Sequence, residues 1–130
     1  MPHYESESYI IIRTQIEGTH CWPDCPYEEV AFLRNPHRHL FKIKAIIPVE
    51  HDNRALEFFL GKKDIDLFLD TSLANHGNWD ESVKDLGDWS CERLGKHIME
   101  FIFEQYGISD CMVEVNEDGE NGGLVVGRRI

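Results

Sequence analysis

A chain of 130 residues with 42% hydrophobic side chains fits one domain, residues 1–130, and is long enough to bury a core. Lys and Arg total 13 against 24 Asp and Glu, a formal charge of −11, so most of the surface repels phosphate backbones and anionic lipid, and neither nucleic acid nor a membrane is an expected partner. No apolar run nears the roughly 20 residues that cross a bilayer, and Met1-Pro2-His3-Tyr4-Glu5-Ser6-Glu7 lacks the basic start and apolar stretch of a signal peptide; a soluble, cytoplasmic protein is the expectation.

From Tyr9 to Ile16 the β-branched and aromatic residues predict a strand, with the chain extended as far as His20. Residues 21 to 36 carry Pro23, Pro26 and Pro36, which exclude a long regular element and predict a structured loop with room for one helical turn. A second strand follows from His37 to Val49. His37, His39, Phe41, Ile43, Ala45 and Ile47 share one face, and Arg38, Lys42 and Lys44 the other. After a turn at His51-Asp52-Asn53, with Asp52 or Asn53 as cap, a helix is predicted from Ala55 to about Leu69. Residues 70 to 89, including Asn75-His76-Gly77-Asn78, read as polar and irregular. Ser90 is placed to cap a second helix whose stripe is Leu94, Ile98, Phe101, Ile102 and Tyr106, and Gly107 ends it. Cys111, Val113 and Val115 mark a third strand, Asp118-Gly119 and Asn121-Gly122 are turn signals, and Leu124 to Val126 supplies a fourth. The predicted order is β-β-α-α-β-β. It implies an α+β domain: an antiparallel four-stranded sheet with two helices on one face.

The sharpest chemical feature is the pair His37 and His39. In a strand, residues i and i+2 share a face with Cα atoms about 6.6–6.8 Å apart, so two imidazoles can converge on one metal. His20, at the end of the first strand, would complete a three-histidine set with an open fourth position, the pattern of a catalytic zinc site. Seven histidines in 130 residues also produce such a spacing by chance. Glu92 in a helix's first turn and Glu117 before a turn are each accounted for by their local settings. The acidic run Glu117, Asp118 and Glu120 lacks the spacing of a calcium loop. Cys21 and Cys25 are spaced C-x3-C with no second pair to answer them. Together with Cys91 they are candidate nucleophiles that nothing in the spacing ties to His76.

In this order the motifs resemble those of the 6-pyruvoyltetrahydropterin synthase and 6-carboxytetrahydropterin synthase family of tunnelling-fold (T-fold) proteins. Glu17-Gly18-Thr19-His20 is similar to the strand carrying the family's first zinc histidine. Asn35-Pro36-His37-Arg38-His39-Leu40-Phe41-Lys42-Ile43 resembles its Leu-His-Gly-His-Tyr-x-Val strand. Leu56-Glu57-Phe58-Phe59-Leu60 resembles its Val-x-Asp-Phe-x-x-Leu helix opening, Ser90-Cys91-Glu92-Arg93-Leu94-Gly95 its Thr-Ser-Glu-Asn-Leu-Ala, and Val113-Glu114-Val115-Asn116-Glu117-Asp118 its Val-x-Val-x-Glu-Thr. The resemblance implies zinc held by His20, His37 and His39. It also implies a pterin- or purine-like small molecule anchored by Glu117 with Glu92 close by, and a homo-oligomeric ring with the pocket at a subunit boundary. The implied activity is carbon–oxygen lyase chemistry on a dihydroneopterin-triphosphate-type substrate, in pterin or 7-deazaguanine precursor synthesis.

The chain departs from the family where acid–base chemistry is expected. The family's cysteine, four residues before the first paired histidine, is Leu33 here, leaving Cys25 further back as the candidate thiol. Its Asp-His pair falls on Asp70, but Thr71 follows, and His76 is the substitute on the next loop. The glycine between the paired histidines is Arg38, and the anchor threonine is Asp118. The alternative is therefore a non-catalytic or repurposed T-fold protein that keeps the ligand site, with a purely structural module as the third reading.

Overall fold

The computed structural model describes residues 2–77 and 80–130. Two long strands, β1 (Ser8–His20) and β2 (His37–Val49), pair antiparallel over their whole lengths from Ser8↔Val49 to His20↔His37. Their β-branched alternation is what such a ladder requires. β5 (Asp110–Glu117) adds to the other side of β2, and β6 (Gly122–Arg128) pairs with β5. The 21–36 loop carries a 3-10 helix, Glu28–Arg34, between its prolines, so the described residues hold three helices where two were predicted.

The sheet is larger than the four antiparallel strands predicted. Among the described residues it has six, in the order β3-β4-β1-β2-β5-β6, and it is mixed, because β4 runs parallel to β1 from Glu17↔Val83 to Thr19↔Asp85. The additional strands, β3 (Ala74–His76) and β4 (Asp80–Asp85), come from the stretch read as irregular. β3 is the edge strand and β4 offers a single apolar residue, the buried Val83, so the hydrophobic signal is too short to read. Lys84 fastens this edge: it is 5% exposed, and its Nζ donates to the Asp70 carbonyl (3.1 Å), to Asp70 Oδ1 (3.2 Å) and to Asn75 Oδ1 (2.8 Å). Asn78, named in the irregular stretch, lies outside the described residues.

Helix α1 spans Phe58–Ser72, starting later than predicted. Neither Asp52 nor Asn53 caps it. Glu57 does, its carboxylate accepting the Phe59 N–H at 2.8 Å. Helix α2 (Cys91–Tyr106) begins and ends as predicted: Ser90 Oγ accepts the Arg93 N–H at 3.1 Å, and Gly107 takes the left-handed conformation at φ 61°.

Both helices lie on one face of the sheet. Ile12, Phe41, Ile43, Ala45, Ile47, Val113 and Val115 from the strands meet Ile65 and Leu69 of α1 and Leu94, Ile98 and Ile102 of α2. The same alternation that buries Phe41 and Val115 puts His20, His37, His39 and Glu117 on the helix side, at the end of the sheet where α2 begins. No helix among the described residues is long and apolar enough to cross a membrane.

Candidate metal centre

The strand register assembles the histidines. His20 is the Cα partner of His37, His39 lies two residues along β2, and Glu117 pairs with Phe41 from the next strand over. The imidazole centroids are 4.6 Å apart for His20 and His37, 5.0 Å for His37 and His39 and 5.6 Å for His20 and His39. The fully buried Phe41 ring lies beside His20 and His39. One ligand atom from each of His20, His37, His39 and Glu117 falls within 4.8 Å of all the others.

Each ring is held from behind through Nδ1. His20 Nδ1 faces the Trp89 carbonyl at 2.7 Å, His37 Nδ1 the Asn35 carbonyl at 2.9 Å, and His39 Nδ1 the Asp118 carboxylate at 2.7 Å. A carbonyl or carboxylate oxygen only accepts, so the proton of each neutral ring sits on Nδ1 and the lone pair on Nε2. Metal-ligating histidines are oriented by the same kind of bond.

Three observations bear on whether a cation fits. His37 Nε2 is buried without a hydrogen-bond partner, a costly state for a lone acceptor. His20 Nε2 stands 2.8 Å from Glu117 Oε2, and His39 Nε2 3.5 Å from the same oxygen. Two acceptors at 2.8 Å need a proton or a metal ion between them. Finally, burial holds the His20 imidazole below its ordinary pKa, reinforced by His37 and His39 and opposed by the Trp89 carbonyl and Glu117. Desolvation thus disfavours the imidazolium. The donor set suits a divalent metal of the zinc type.

His20, His37 and Glu117 of the cluster line a cavity of about 500 Å³, walled also by Trp22, Leu33, Trp89 and Cys21 and by Ser90, Cys91 and Glu92 at the start of α2. Large apolar surfaces with a few polar groups are the usual make-up of a small-molecule site. Glu92 extends across β6, where a side chain on Gly123 would come within 2.8 Å of its Cγ. Burial pushes the Cys91 thiol up to about 12, with Glu117 and Glu92 adding to it.

The remaining predicted residues lie elsewhere. Leu33 is in the cavity wall, whereas Cys25 is buried in the loop with its Sγ 3.8 Å from the Tyr27 carbonyl. Asp70 is engaged by Lys84. His76 sits on the edge strand β3, its Nδ1 3.3 Å from Thr19 Oγ1. None of the three lines the cavity. Sequence reasoning missed the groups behind the rings. Two are backbone carbonyls, which carry no sequence signal, and the third, Asp118, was visible only as a departure from a motif.

A solved structure of 6-pyruvoyl tetrahydropterin synthase from Plasmodium falciparum is similar to this chain, with a TM-score of 0.61 and 12% identity over 95% of this chain and 99% of that one. No protein-family model matches the chain, and no curated protein matches it. At that identity the likeness establishes the fold: this is an α+β chain with the fold of 6-pyruvoyl tetrahydropterin synthase.

Proposed function

We propose that this protein is a zinc-dependent T-fold protein that binds a pterin- or purine-like heterocycle of the dihydroneopterin-triphosphate type, with zinc held by His20, His37 and His39. One observation carries the reading: three imidazoles, each pinned through Nδ1, turn their Nε2 atoms toward a common point at the end of a cavity walled by tryptophans. Bound zinc supplies a Lewis acid for oxygens of the ligand's side chain. Trp22 and Trp89 offer flat apolar surfaces for a planar ring, and such contacts favour stacked or edge geometries. The carboxylates of Glu92 and Glu117 line the same cavity, and either can accept two parallel N–H bonds from a 2-amino-pyrimidinone edge, as a carboxylate does from arginine. The likeness to a 6-pyruvoyl tetrahydropterin synthase supports this ligand class, and the exposed strand edge of a small sheet favours self-association into a homo-oligomer.

The placement of Cys25, Asp70 and His76 outside the cavity wall favours binding over the family's proton-transfer reaction. A second reading, carbon–oxygen lyase chemistry, draws support from Cys21, a half-buried thiol in the cavity wall next to His20. Calorimetry with dihydroneopterin triphosphate and with guanine, on protein of known zinc content, tests the first reading. Absence of binding to the zinc-loaded chain would overturn it. Triphosphate release that disappears in Cys21→Ala would establish the second.

A further inference from the structure

Two consecutive acidic residues at the end of β5 reach the histidines from different directions. Glu117 faces the helix side, as strand alternation requires. Asp118 would face the opposite side if the strand continued. Instead Asp118 adopts a left-handed backbone at φ 60°, uncommon for a residue with a Cβ. Its carboxylate is thereby brought to the Leu40 N–H (2.9 Å) and His39 Nδ1 (2.7 Å). The Asp118 N–H in turn donates to the Leu40 carbonyl at 2.8 Å. This turn fixes the end of β5 against β2, and with it the place of the Glu117 carboxylate.

We infer that Glu117 is a fourth protein ligand of the metal, closing the site in the ligand-free protein, and that an incoming oxygen ligand reaches the metal by displacing this carboxylate. The inference rests on the metal reading above and goes beyond the three-histidine set. Glu117 Oε2 is 2.8 Å from His20 Nε2 and 3.5 Å from His39 Nε2. A tetrahedral ion with bonds of about 2.0–2.2 Å has donor–donor edges of about 3.3–3.6 Å; the 3.5 Å to His39 matches such an edge, and the 2.8 Å to His20 would open by about half an ångström as the ion enters between the two donors. The protons of both rings sit on Nδ1, which leaves neither Nε2 able to donate to the carboxylate while the imidazoles are neutral. Four protein ligands make a closed sphere, whereas a catalytic zinc keeps one position open. Glu117 is also part of the cavity wall and its side chain is 30% exposed. A ligand entering the cavity therefore meets the carboxylate and the metal together.

The test compares the full-length wild type with Glu117→Gln. Zinc affinity is read by competition with a chromophoric chelator. The visible spectrum of each cobalt-loaded protein is then titrated with azide, a small anionic metal ligand. Glu117→Gln should weaken zinc by about 10–100-fold, at least the range that loss of an outer-shell partner causes. Its cobalt spectrum should respond to azide at concentrations about tenfold lower than the wild type needs, because the competing carboxylate is gone. A role confined to folding would not produce these opposite changes. Glu117→Asp, which keeps the charge but withdraws the oxygen, should shift both readouts in the same directions by less. Glu114→Gln, on the opposite face of β5, should match the wild type. Equal zinc affinity and equal azide response in wild type and Glu117→Gln would overturn the inference while leaving the three-histidine site standing. A wild type that retains no metal would overturn both.

Discussion

At His37 the ring is held only through Nδ1, and its buried Nε2 has no partner. A metal ion would satisfy that atom, so His37→Ala should reduce zinc from about one per chain to background, as read by elemental analysis. Unchanged zinc in this variant would refute the assignment. Ligation requires neutral imidazole, so metal affinity should fall on acidification as protons compete for the rings. Thiol reactivity separates the cysteines. Burial pushes Cys91 up to about 12 and Cys111 up to about 11, and Cys25 is buried, whereas Cys21 is partly accessible. Mass spectrometry after brief treatment with a maleimide should find Cys21 modified first, with all four modified only on unfolding. At this scale the three histidines were legible because strand spacing dictates their shared face. The inward position of Glu117 among them was not, since it depends on which strand lies beside β2.

Helix α1 carries Gly61 in its interior, a residue that lowers helix propensity by about 1 kcal/mol relative to alanine. Its place is decided by packing: a Cβ there would stand 2.5 Å from Ile12 Cδ1, in the core between α1 and β1. Cδ1 is the free end of the Ile12 side chain and can turn aside, so the overpacking costs less than the ~1–3 kcal/mol of a rigid neighbour and roughly offsets the propensity gain. Gly61→Ala should therefore leave stability within about 1 kcal/mol of the wild type in urea unfolding, and a loss of about 3 kcal/mol or more would contradict this account. At α2 the Ser90 cap holds the helix start that forms one wall of the cavity. Ser90→Ala should cost about 1 kcal/mol and, by loosening that wall, weaken ligand binding more than zinc binding.

Across the whole molecule, the sheet face away from the helices leaves Tyr9, Ile11, Leu124 and Val126 between 43% and 69% exposed, and β6 ends the sheet with an open edge. Exposed apolar strands beside an open edge are surfaces that natural proteins cover. Light scattering at micromolar concentration should find a particle several times the 15.1 kDa chain, and a monomer alone would count against it. Stability should also depend on pH. His20 and His97 are both held below the ordinary range, chiefly by burial. Between their folded values and about 6.5 the unfolded chain therefore binds more protons than the folded one. The metal-free protein should lose stability as pH falls through that window, and a urea midpoint that rises on acidification would contradict this.

The sequence by itself determined the four principal strands, both helices with Ser90 and Gly107 at the ends of the second, and the common face of His37 and His39. Each of these follows from a local period or a local cap. Only the tertiary structure decided the two polar strands at the edge. Lys84, which anchors them, bonds to a helix residue fourteen positions back and to an asparagine nine back, and no hydrophobic pattern announces such contacts. It also decided that Asp70 and His76 belong to that edge, that Cys25 is enclosed in its own loop, and that Glu117 joins the histidines. These placements depend on strand order and register, which bring together residues such as His39 and Asp118, seventy-nine positions apart. Local propensity does not reach across that distance; the packing of one strand against its neighbour does.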